Sequence, residues 1–122
     1  MTDYNILFID DYSKTADLDA SVLIGKWERT YSEGILEQRL EKYDLVFLDL
    51  ETGKTMEEGA PAKISRRVSK ERFYITVPKE EDKKDVRGHV LEWGAQSYFA
   101  MPMTHERIVL ILESIGAKGE NH

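Results

Sequence analysis

Four short runs of apolar, strand-forming residues punctuate the chain: residues 4–9 (YNILFI), 43–50 (YDLVFLDL), 72–77 (RFYITV) and 97–101 (SYFAM). They are nearly continuous rather than alternating, the pattern of parallel strands covered on both faces. Between them, apolar residues recur at helical spacing. Leu36, Leu40 and Tyr43 fall at i, i+4 and i+7 after an N-cap candidate, Ser32. Ala60, Ile64 and Val68 mark a further helix. Val86, Val90 and Trp93 mark another, closed by Gly94 as a C-cap. The last helix runs from the cap Thr104 through Ile108, Ile111, Leu112 and Ile115 to Gly116. Residues 13–32 admit two readings: a helix near 13–23 followed by a strand near 26–31, or a strand pair within SVLIGKWERTY.

Strand–helix alternation with buried strands predicts an α/β fold: a flavodoxin-like, doubly wound parallel sheet of five strands in the order 2-1-3-4-5, with helices on both faces. Such a sheet carries its site beyond the carboxyl ends of the strands, where the first and third meet. The 122 residues suit one domain, read as 1–118 with a polar tail at 119–122.

Composition narrows the function classes. A net charge of −6, with no basic cluster beyond SRR, argues against a nucleic-acid partner. The absence of cysteine removes disulfides and thiolate metal sites. The start MTDYNILFIDD has no basic, then apolar, leader pattern, and no apolar run reaches membrane-spanning length, so a cytoplasmic protein without membrane contact is expected.

The candidate chemistry lies in carboxylates. Asp10 and Asp11 end the first strand and Asp49 ends the third, and the predicted order makes these strands neighbours. Carboxylates held together raise one another's pKa unless a cation lies among them, and a hard divalent ion such as Mg²⁺ suits oxygen ligands. Two other readings of FLDLETG (47–53) fail on context. The two-metal nuclease motif it approaches, Asp49-Leu-Glu51-Thr-Gly, is one residue short and follows the third strand, and His89, His105 and His122 supply no partner context. As a phosphate-binding loop, GKT (53–55) lacks the glycine five residues earlier, where Leu48 stands.

ILFIDD, DLVFLDL, Thr76 at the end of the fourth strand and GAQSYFAMP together resemble the signature of response-regulator receiver domains, from residue 4 to about 116. The resemblance implies that Asp49 accepts a phosphoryl group. It implies that Asp11 and Asp49 bind Mg²⁺ directly, Asp10 through water, and Glu51 through its backbone carbonyl. Thr76 would contact the phosphoryl group and Tyr98 would be the switch aromatic. The implied partners are a histidine kinase or phosphotransfer protein and a downstream protein target. A homodimer through the last helix and the fourth and fifth strands is a further expectation, with Val109 and Leu110 as contact candidates. Beyond self-phosphorylation and slow aspartyl-phosphate hydrolysis, no enzyme activity is implied.

The pattern departs from the family at several points. Met101-Pro102 stands where the family has Lys-Pro, and methionine brings neither charge nor donor. Lys54 and Lys79 are the nearest lysines in sequence to the acceptor and to Thr76, and both read as surface residues. LETGKTMEEG replaces the family's loop after the acceptor, and the charged run KEEDKKD (79–85) lengthens the stretch after Thr76. His89 reads as a surface or partly packed side chain and Trp93 as core. Two functions follow: an atypical, stand-alone receiver phosphorylated on Asp49, or a degenerate receiver acting as a phosphorylation-independent interaction module.

Overall fold

The computed structural model describes residues 4–10, 26–30, 34–77, 83–100 and 105–120. Its centre is a sheet of five strands: β1 (Asn5–Ile9), β2 (Lys26–Thr30), β3 (Leu45–Asp49), β4 (Phe73–Val77) and β5 (Ser97–Ala100). Their order is β2-β1-β3-β4-β5, and every pairing is parallel. Lys26–Thr30 pairs with β1 as a parallel strand. The helix expected near 13–23 lies outside the described residues.

Side chains alternate between the two faces of a strand, and both faces here carry a core. On one, Leu7, Ile9, Val46, Leu48 and Ile75 pack with Ile64 and Val68 of α2 (Ala60–Val68) and Val86 and Trp93 of α3 (Lys83–Trp93). On the other, Ile6, Phe8, Phe47 and Tyr74 meet Ile108, Ile111 and Leu112 of α4 (His105–Glu120). An aromatic row crosses the sheet on that second face. Phe8 stacks on Phe47 at 4.8 Å, Phe47 lies 6.0 Å from Tyr74, and Tyr74 lies 5.4 Å from Phe99. Burial on both faces is why β3 and β4 read as unbroken apolar runs.

Three expectations need correction. No α-helix covers Leu36 to Tyr43. Two 3₁₀ turns, Ile35–Glu37 and Leu40–Lys42, stand there instead. Gly34 enters at φ 71° and Gln38 is extended at φ −85°, ψ 163°, which interrupts any helical ladder. Leu40 and Tyr43 are buried all the same and Leu36 partly so, so the apolar spacing reports anchoring rather than helix. The Tyr43 hydroxyl donates to Glu28 of β2 at 2.6 Å, and burial beside that carboxylate pushes the phenol pKa up. Secondly, residues 50–55, expected as a loop, form the short helix α1 (Leu50–Thr55). Thirdly, α4 continues past Gly116 to Glu120. A glycine inside a helix costs about 1 kcal/mol and does not by itself end one.

Arg67 of α2 takes over the hydrogen bonding that a helix would have supplied. Its Nη1 donates to the Leu36 carbonyl, its Nη2 to the Gln38 carbonyl at 2.6 Å and its Nε to Glu41 Oε1 at 3.1 Å. The guanidinium holds the exposed Glu41 carboxyl below its usual range. Arg67→Ala is expected to destabilise the protein by about 1–3 kcal/mol, because two backbone carbonyls lose charge-assisted bonds. Arg67→Lys should recover little of this, since one ammonium cannot reproduce the planar fork. Urea denaturation of both variants measures it, and a lysine variant as stable as wild type would refute the fork.

Candidate functional site

The carboxyl edge of the sheet brings three polar side chains into one row. Asp10 follows the last residue of β1, and its N–H donates to the Thr30 carbonyl of β2 at 3.0 Å, extending the ladder by one step. Ile9 pairs with Leu48, so Asp10 stands beside Asp49, the last residue of β3. Asp49 in turn pairs with Thr76 of β4. All three are nearly inaccessible, at 4%, 3% and 4% exposure, in a part of the molecule where an unpartnered polar group is costly. By alternation they lie on the α4 side, one layer beyond Phe8, Phe47 and Tyr74.

Asp49 carries the electrostatic tension of the row. Burial pushes its carboxyl pKa up. The Thr52 amide and hydroxyl oppose that rise, and the charges of Asp10 and Glu51 add to it. Asp49 is also the N-cap of α1, with φ −64° and ψ 133°. Its Oδ2 accepts from both the Thr52 N–H and the Thr52 hydroxyl at 3.0 Å. Thr52 was not among the residues singled out from the sequence. The Asp-x-x-Thr spacing, an N-cap followed by its N3 residue, is the signal that marks it.

The remaining candidates fall as follows. Glu51 is the second residue of α1, where helical geometry directs its carbonyl along the axis toward the amide of Thr55. That carbonyl can face a cation beside Asp49 only if the first turn of α1 opens. Tyr98 pairs with Ile75 and packs, partly buried, on the α2–α3 face. Thr76 pairs with Phe99, so the aromatic and the hydroxyl lie at adjacent positions on opposite faces of the sheet. Lys54 reaches α3: its Nζ lies 2.9 Å from Asp85 Oδ2 and 3.7 Å from Glu51 Oε1. Asp11, Lys79, Met101 and the caps Ser32 and Thr104 lie outside the described residues. Among the described residues, no group of three or more His, Cys, Asp or Glu side chains is placed to hold a metal ion. The expected trio depends on Asp11.

Trp93 is core, at 6% exposure, and Gly94 at φ 72° ends α3, both as the sequence predicts. His89 is half-buried on the Trp93 ring, at 4.6 Å between centroids, with Nε2 3.5 Å from Asp85. On α4, Leu110 is 65% exposed and Val109 is half-buried. Among the described residues no helix is long and apolar enough to cross a membrane.

A parallel sheet in this order, with Asp10 just after β1, Asp49 at the end of β3 and Thr76 one residue before the end of β4, has the fold of the CheY-like receiver domains of response regulators. Solved structures of that fold match nearly the whole chain. NtrX from Brucella abortus matches at TM-score 0.71 and 19% identity over 98% of this chain, which spans only 29% of that protein. The signal receiver domain of a Luxo repressor protein from Vibrio parahaemolyticus matches at TM-score 0.71 and 16% identity, over 99% of this chain and 100% of that one. A CheY-like receiver domain from Methanospirillum hungatei matches at 0.66 and 14%, with 99% and 100% covered. At these identities the likeness is one of fold. No protein-family model and no curated protein matches the sequence.

Proposed function

We propose that this chain is an atypical receiver module that takes a phosphoryl group onto Asp49 from a phosphohistidine of a kinase or phosphotransfer protein. The observation that supports it best is the buried row Asp10–Asp49–Thr76 at the carboxyl edge of a receiver fold. An Asp49 oxygen would attack phosphorus as the P–N bond of the donor breaks. The departing imidazole would take a proton from water and leave an acyl phosphate. Such transfer needs positioning and charge neutralisation more than covalent assistance. Thr76, in register with Asp49, offers a hydroxyl to the phosphoryl oxygens.

The donor set fits a hard cation. Two buried carboxylates on neighbouring strand ends repel one another, and the charge of Asp10 adds to the burial that pushes the Asp49 pKa up. Asp10 and Asp49, with Asp11, would hold Mg²⁺, which when bound supplies positive charge for the phosphoryl oxygens. Met101 supplies none.

One observation favours the second reading, a degenerate receiver that works through protein contacts alone. Asp49 already serves as a helix cap, and α1 occupies the place of an open loop. Intact-mass measurement after incubation with Mg²⁺ and a small phosphodonor separates the two. Phosphoryl acceptance predicts a mass gain of one phosphoryl group in the wild type and none in Asp49→Ala. A wild type that gains no mass with any donor and binds no Mg²⁺ leaves the interaction module as the function.

A further inference from the structure

α1 starts on the candidate acceptor and ends against α3, and three consecutive residues make that connection. Thr52 holds Asp49 twice, through Oδ2 in both cases. Gly53 lies so close to α3 that a Cβ there would stand 2.6 Å from Cη2 of Trp93. Lys54 bonds Asp85, in the first turn of α3, at 2.9 Å. An isolated helix of six residues does not persist in water, so these anchors determine where α1 sits.

We propose that Thr52 is a positioning residue for Asp49 and the first link of a path that reads the state of that carboxylate at α3. Thr52 engages Oδ2, which leaves Oδ1 as the oxygen for chemistry. Once Oδ1 carries a phosphoryl group, Oδ2 becomes the carbonyl oxygen of an acyl phosphate. A neutral carbonyl accepts more weakly than a carboxylate, so the cap of α1 loosens. Gly53 and Lys54 then lose their fixed placement against Trp93 and Asp85. The path runs along the α2–α3 side of the sheet and does not require Tyr98 to change rotamer. Only the triggering step rests on phosphoryl acceptance, since the cap and its contacts with α3 belong to the resting structure.

Coupling needs a demonstration that goes beyond proximity. Hydrogen exchange followed by mass spectrometry on the full chain provides one, using Thr52→Val, Thr52→Ser, Lys54→Ala and the Thr52→Val/Lys54→Ala double variant. Thr52→Val should speed exchange in α1 and α3 by about fivefold while α4 keeps its wild-type rate, and Thr52→Ser should behave as wild type. Against the Lys54→Ala background, Thr52→Val should still open α1 but speed exchange in α3 less than it does in the wild type, because only the Gly53–Trp93 contact then remains. Beryllofluoride with Mg²⁺, a phosphoryl mimic, should reproduce the change in α1 and α3 in the wild type. An α3 that stays protected when α1 opens, or an α4 that opens equally, overturns the proposal. If beryllofluoride changes nothing although a small phosphodonor adds a phosphoryl group by intact mass, the triggering step is overturned; if no adduct forms either, phosphoryl acceptance falls and only the resting path from Thr52 to α3 stands.

Discussion

Replacing Trp93 with alanine is expected to cost about 3–5 kcal/mol, the range for emptying a buried aromatic site. The ring is nearly inaccessible, closes the α3 end of the larger core cluster and lies against Gly53. Gly53→Ala tests the same contact from the other side, because its cost should depend on the ring. In the wild type the new Cβ would meet Trp93 at 2.6 and 2.7 Å and Leu48 Cδ2 at 3.1 Å. Overpacking of this kind costs about 1–3 kcal/mol and outweighs the roughly 1 kcal/mol that alanine gains over glycine within a helix. With Trp93 already alanine only the 3.1 Å contact with the terminal methyl of Leu48 remains, and the vacated ring site gives that side chain room to shift, so Gly53→Ala should cost far less there or stabilise. Urea denaturation of the four proteins gives the coupling energy directly. If Gly53→Ala costs the same in both backgrounds, the ring is not what restricts that position.

That contact also shows where sequence reasoning stops. The strands were legible because burial on both faces leaves a local mark, an apolar run, and β3 and β4 fall almost where the runs lie. α2 and α3 were legible for the same reason at helical spacing. α1 was not: ETGKT has no apolar period, and the helix exists because Asp49 caps it and a tryptophan forty positions away in sequence, 93 against 53, covers its glycine. The misreading of Leu36 to Tyr43 has a similar origin. Its three spaced anchors fit a helix and a pair of 3₁₀ turns equally well, and Gly34 with the distant Arg67 decides between them. The site divides the same way. Asp10, Asp49 and Thr76 were visible as polar residues ending apolar runs, whereas Thr52 acts through a cap on a helix the sequence did not reveal. The departure that matters most for chemistry, Met101 for lysine, is a matter of sequence alone.

Asp49→Asn is expected to make the protein more stable at neutral pH while abolishing the phosphoryl adduct. Burial raises the Asp49 pKa above the ordinary 3.8, so the native state holds this proton more tightly than the unfolded chain does. Between 3.8 and the native value, the native state binds more protons, and stability therefore falls as pH rises through that window. Above it the full penalty of a buried carboxylate beside Asp10 is present. Below 3.8 it is absent, because Asp49 is protonated in both states. Asparagine removes the charge at every pH and still accepts from Thr52, as one of the best N-cap residues. The excess stability of Asp49→Asn should therefore be largest near pH 7 and vanish on acidification, as thermal melts across pH would record. Mg²⁺ should narrow the gap from the other side. A cation held by the native wild type at a hundredfold above its Kd stabilises it by about 2.7 kcal/mol, and the asparagine variant, lacking one charged ligand, should gain less. A stability difference that ignores both pH and Mg²⁺ would mean that Asp49 is only the cap of α1. The same carboxylate would then have no charge conflict for a cation to relieve, and the interaction-module reading would be the one to pursue.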